Sequence, residues 1–215
     1  MKLILKPLLA MAAIVLLTAC QSAYYGAMER LGVAKRDIIV DRVEEAQDAQ
    51  QEGQEQFQNA LEQFRSVVNF DGGDLQQVYD RLDAEFQRSE QAADRIRDRI
   101  EAVEDVADAL FDEWEDELDL YTNQQLRRDS EQQLRATRDR YDQLARAMQR
   151  SEATLDPVLD SLRDNVLYLK HNLNARAIAS IRGELDTIDA DVDELMAAME
   201  AAIAESDRFI AQMRS

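Results

Sequence analysis

An all-α fold, an elongated antiparallel bundle of three long coiled-coil-like helices, or four if the middle one doubles back, is what this sequence predicts. Three observations carry that prediction. Turn-forming residues are scarce, 6 Gly and 2 Pro in 215 residues, whereas a fold of many strands needs frequent turns. Apolar side chains recur at alternating intervals of three and four, the spacing that lays one stripe along one face of a helix. Only two places carry strong punctuation, DGGD at Asp71–Asp74 and LDPVL at Leu155–Leu159, so the segments between them are long.

The first 19 residues stand apart. Lys2 and Lys6 precede an apolar run from Leu8 to Leu17, and small residues lead to Cys20, the single cysteine of the chain. This is the three-part layout of an export signal. The run is too short to span a bilayer, which takes about 20 apolar residues; a buried N-terminal helix is the alternative reading. With no second thiol, Cys20 has no disulfide partner within the chain. Leu17-Thr18-Ala19-Cys20 resembles the lipobox of bacterial lipoproteins, and Gln21, rather than Asp, after the cysteine implies outer-membrane sorting in a Gram-negative cell. The expected division is therefore a signal at 1–19, an acylated anchor and membrane-proximal segment at 20–36, and a helical bundle at 37–215. Tyr24 and Tyr25 are candidates for the lipid interface, where amphipathic rings are favoured, or for simple packing.

In the first helical segment Val43, Ala46, Phe57, Ala60, Phe64 and Val67 form the stripe, with Gln50 and Gly53 interrupting it at seam positions. Gly72 and Gly73 can end that helix, and Asp74 can cap the next, with Gln77 three residues on as in a capping box. The second segment carries its stripe from Leu82 through Phe86, Ser89, Ala93, Ile96, Ile100, Val103, Ala107, Leu110 and Trp114 to Tyr121. The pattern then falters across TNQQLRRDSEQQ, where Leu126 is the only large apolar residue, and resumes out of phase with Leu134, Tyr141, Leu144, Met148 and Leu155. Either one helix of about 80 residues absorbs the shift or the chain turns back; the lack of Gly and Pro between Asp74 and Asp156 favours the single helix. Asp156 is the expected cap of the last segment, with Pro157 as its first helical residue, and Ile181, Leu185, Ile188, Val192, Leu195, Met199, Ala202, Phe209 and Met213 form its stripe. No helix here can bury its stripe alone. It is covered within the chain or between chains, so a homo-oligomer stays open.

The chain carries 25 Lys+Arg against 44 Asp+Glu, and loss of residues 1–19 would take the net charge to about −21. So acidic a surface repels nucleic acid, whose binding relies on Lys and Arg displacing counterions, and repels anionic lipid as well. Residues 101–119 and 184–207 hold acids and no base, whereas 127–150 hold seven arginines. Laying the arginine-rich length beside an acidic one would lower self-repulsion; solvated faces are the plain alternative.

A search for catalytic groups is mostly negative. The single histidine, His171, lacks the further His or Cys ligands of a zinc site. Gly26 to Gly32, followed by Val33, has the wrong interval for a phosphate-binding loop, and no G-x-S-x-G elbow is present. Forty-four acids make chance carboxylate pairs abundant and any one of them uninformative. Neither catalytic residue, metal nor cofactor is assigned. The least ordinary stretch is Lys170-His171-Asn172-Leu173-Asn174-Ala175-Arg176, read as part of the last helix. Lys170, His171, Asn172, Asn174 and Arg176 form a candidate polar contact face for a partner, or else face solvent.

AYYGAMERLGVAKRDIIVDRVEEAQDAQQE, LYTNQQLRR with TRDRYDQL, and LKHNLNARAIASI together resemble a family of proteobacterial lipoproteins catalogued as a domain of unknown function. The resemblance covers nearly the whole chain after the signal. It implies a helical, coiled-coil-like envelope lipoprotein and carries no activity or catalytic residue with it. The functional expectation is an outer-membrane lipoprotein with its bundle in the periplasm, held at the membrane by lipid on Cys20. It would bind an envelope protein as a scaffold, spacer or adaptor without catalysis. The alternative is a carboxylate-based enzyme, or a ligand- or divalent-cation-binding protein, working in a groove between helices.

Overall fold

A computed structural model describes residues 35–214. Among them there is no strand, and the order is α1 (Lys35–Val68), α2 (Leu75–Leu118), α3 (Gln124–Ala153), α4 (Leu155–His171), α5 (Ala175–Ile181), a 3-10 turn (Arg182–Glu184) and α6 (Leu185–Met213). Helix α1 packs on α2 and α6, and the α3–α4 column packs on the same two, closing a four-helix bundle in which α1 and α3 lie diagonally. Neighbouring columns run antiparallel. Arg99 of α2 meets Glu45 of α1 at 2.9 Å, while Gln56 further along α1 meets Glu85 earlier in α2 at the same distance. With 30 and 17 residues in α3 and α4, the column is about 70 Å long at 1.5 Å per residue.

The first turn is built as its residues require. Gly72 and Gly73 have φ of 143° and 111°, values that a side chain disfavours, and the Asp74 carboxylate accepts from the Gln77 amide at 3.3 Å. The single long helix over 74–155 is corrected. Helix α2 stops at Leu118, and the chain turns back over 119–123 without a glycine. Asp119 stays right-handed as its amide closes on Asp116 O at 3.3 Å. Asn123 then opens α3 by accepting from the amides of Gln125 and Leu126 at 2.9 and 3.3 Å. Arg127 reaches back to Asp119 at 3.0 Å and Arg138 pairs with Glu115, so part of the arginine-rich length does lie along the acidic one.

The second expected break is slighter than its sequence promises. Thr154 alone separates α3 from α4; it remains right-handed, and its hydroxyl donates to Ser151 O at 2.7 Å. Pro157 therefore falls in the first turn of α4 but not at its first position. Asp156, instead of capping, accepts from Arg97 of α2 at 2.6 Å. The helix expected to run through 170–176 is also interrupted, because Asn172 leaves helical geometry with φ −136° and ψ 56°.

One core runs the length of the bundle. Every stripe residue named in α1 is buried, as are those of α2 up to Leu110. Trp114 is half-buried, its indole donating to Ser130 Oγ at 2.9 Å. Gly53 is where backbones crowd: a Cβ there would lie 2.7 Å from Ile96 Cδ1 and 3.2 Å from Met199 Cε. Arginines clip both ends of the α1–α6 pair, since Arg36 Nε donates to Met213 O at 2.8 Å and Arg182 donates to Val68 O at 2.9 Å. Each places a cation on the carbonyl end of the opposing helix, where it is favoured.

Candidate partner-contact site

The window around His171 lies at the end of the bundle opposite the start of α1. It consists of the last turn of α4, the three residues 172–174 and the first turn of α5. Lys170, His171, Asn174 and Arg176 are exposed and Asn172 is half-buried. The two amides have local work. Asn172 donates to Tyr168 O at 2.9 Å and closes α4, and Asn174 accepts from the amides of Arg176 and Ala177 at 3.0 and 3.1 Å and opens α5. Helix-terminating amides are thus what the sequence presented as a polar face. Lys170, His171 and Arg176 remain as outward-facing cationic or basic groups.

Two residues that the sequence reading passed over join them. Leu167 and Tyr168 are 51% and 42% exposed on the flank of α4, off the stripe formed by Val166 and Leu169. They are visible in the sequence only as apolar residues at the wrong phase. Residues 165–183 contain no Asp or Glu, so an apolar pair and several bases share one end of an otherwise acidic rod. Beside them a polar cleft of about 460 Å3 opens between α4 and α5, lined by Asp160, Asp164, Tyr168, Ser180 and Glu184 among others. The arrangement suits contact with a surface carrying acidic and apolar groups.

The opposite end has its own exposed apolar residues, Leu120, Tyr121 and Leu126, at the α2–α3 turn. The start of α1 is close by: Lys35 Nζ lies 2.9 Å from Glu113 Oε2. Cys20, and Tyr24 and Tyr25 with it, lie outside the described residues.

Inside the bundle the electrostatics are those of packing. Burial, with Glu104, Asp108 and Asp142 nearby, raises the phenol of Tyr141 far above its ordinary value, and burial does the same more mildly to Tyr79. The Tyr141 ring stands edge-on to Phe111 and Phe209 at centroid distances of 5.5 and 6.4 Å, a packing geometry favoured by aromatic quadrupoles. Glu85 is held below its ordinary value, first by the hydrogen bond from Arg88 and, against the effect of burial, by that from Gln56. Among the described residues no three His, Cys, Asp or Glu side chains gather as a metal site, and no helix is long and apolar enough to cross a membrane.

Among known families, the model described as "Protein of unknown function (DUF2959)" matches residues 24–213. No curated protein matches the chain.

Proposed function

The chain belongs to the DUF2959 family of unknown function, and on that footing we propose that it is an outer-membrane lipoprotein of the periplasmic face that works by binding, as a spacer or adaptor. Lipid on Cys20 is the tether. The bundle sets the reach, and the exposed groups around Lys170, His171 and Arg176, with Leu167 and Tyr168, engage an envelope protein. The observation that carries this reading is the opposition of ends. The chain enters the bundle beside Glu113, and the exposed bases with Leu167 and Tyr168 lie at the far end of a rod about 70 Å long. A tether at one end and a contact face at the other is the layout of a spacer. The export-signal pattern before Cys20 supports the location, and durable attachment follows if more than one acyl chain is carried.

Two measurements test the proposal. Cys20→Ala is expected to abolish palmitate labelling and to leave the chain either with its signal uncleaved or released from the membrane fraction; undiminished labelling would refute the tether. A photo-crosslinking residue at Tyr168 is expected to capture a discrete envelope protein in cells, and Lys170→Glu with Arg176→Glu to lose that capture. Capture unaffected by both charge reversals would remove the patch from the mechanism.

A further inference from the structure

We infer that the α2–α3 turn is a lipid-contacting tip, which seats Leu120, Tyr121 and Leu126 in the acyl boundary of a zwitterionic leaflet and stands the rod upright on it. Leu120 is 78% exposed, Leu126 54% and Tyr121 38%. Large apolar side chains so exposed on one short turn and the first turn of the helix after it call for a partner. They lie at the end of the bundle where α2 gives way to α3, and three side chains cannot supply the roughly 800 Å2 per partner of a standard protein interface. A lipid surface suits so small an apolar tip, with the leucines in the acyl region and the phenol at the headgroups.

Position and charge select the same occupant. Helix α1 begins beside this tip, through the Lys35–Glu113 pair, and the 15 residues from Cys20 to Ala34 can reach at most about 50 Å. A lipid tether on Cys20 therefore keeps this end within about 50 Å of the bilayer, whereas the His171 end can stand about 70 Å further off. Asp116, Glu117 and Asp119 flank the tip, and Arg127 is tied to Asp119 at 3.0 Å. That acidity opposes an anionic surface and leaves a zwitterionic one as the fit. The direction in which the membrane lies rests on the tether reading, whereas the lipid affinity of the tip rests on the exposed side chains alone.

The full chain with one added thiol, Thr122→Cys at the tip or Ala179→Cys at the far end, is labelled with an environment-sensitive dye. It is then mixed with phosphatidylcholine vesicles carrying nitroxide on their acyl chains. Quenching at 122 and none at 179 is expected, and it should weaken as anionic lipid is added. Leu120→Asp with Leu126→Asp should raise the lipid needed for half-maximal quenching by about tenfold or more, at unchanged helicity, because both positions are exposed. No quenching at 122 at saturating lipid, or equal quenching at 179, overturns the tip. So does a concentration-dependent dimer that the double aspartate variant dissolves. Dye uptake by the unsubstituted chain would report a bare Cys20 sulfur and overturn the tether alone; the tip is then judged by the same quenching in a Cys20→Ala background.

Discussion

Gln50 sits in the middle of the bundle with half of its amide satisfied. Its Oε1 accepts from Ser151 Oγ at 2.7 Å across the core, but its Nε2 is buried without a partner. An orphaned buried donor costs about 1–3 kcal/mol, whereas removing both members of a polar pair can stabilise a core. Gln50→Met combined with Ser151→Ala is therefore expected to stabilise the fold by about 1 kcal/mol, read as a higher urea midpoint at unchanged slope. A lower midpoint would show that the polar pair contributes net stability. A second residue-scale test uses pH. Because Arg88 holds the Glu85 carboxyl below its ordinary value of 4.5, the pair stabilises the native state above that value and loses its contribution as pH falls through the lower native one. With Arg88 half-exposed, Arg88→Ala should cost only about 0.5 kcal/mol at neutral pH, and the difference from wild type should close in acid. A difference that persisted once the Glu85 carboxyl is protonated in the native state would assign the loss to packing of the arginine stem.

Helix boundaries show where local chemistry was readable and where it was not. The α1–α2 turn is legible because its glycines have positive φ and Asp74 caps the next helix. The two breaks that the pattern missed are both built on asparagine: Asn123 opens α3, and Asn172 and Asn174 close α4 and open α5. A right-handed C-terminus such as that at Asp119 needs no glycine, so the lack of Gly and Pro was a poor guide to continuity. The phase shift after Tyr121 was the sounder signal. At LDPVL the error ran the other way, since a proline within the first turn of α4 leaves its column nearly continuous. The cap carries a prediction at this scale. Asn123→Ala should destabilise the bundle by about 1 kcal/mol, with hydrogen exchange accelerating first at the amides of Gln125 and Leu126. Unchanged exchange there would mean that packing alone starts α3.

For the molecule as a whole, the stripe was the most legible feature, because burial between two neighbours acts on the same face along an entire helix. Residues such as Val106, Phe111 and Leu61 are buried as well, although they lie beside the named stripe. Each helix in a four-helix bundle touches two others and so buries more than a single seam. The contact face was only half legible, since its asparagines end helices and its apolar members, Leu167 and Tyr168, lie off the stripe. How firmly the seam bears the fold can be tested at two positions of α2, the helix that packs on both α1 and the α3–α4 column. Ile100 and Val103 are 3% and 1% exposed, and an aspartate at either would sit in the core with no base provided for it. A buried unpaired carboxylate costs several kcal/mol, and two of them approach or exceed the roughly 5–15 kcal/mol that holds a domain together. Ile100→Asp with Val103→Asp should therefore lose most helical circular dichroism at neutral pH, whereas Leu120→Asp on the exposed turn should melt as wild type does. An unaltered melt in the double variant would mean that this stripe does not hold the four helices together.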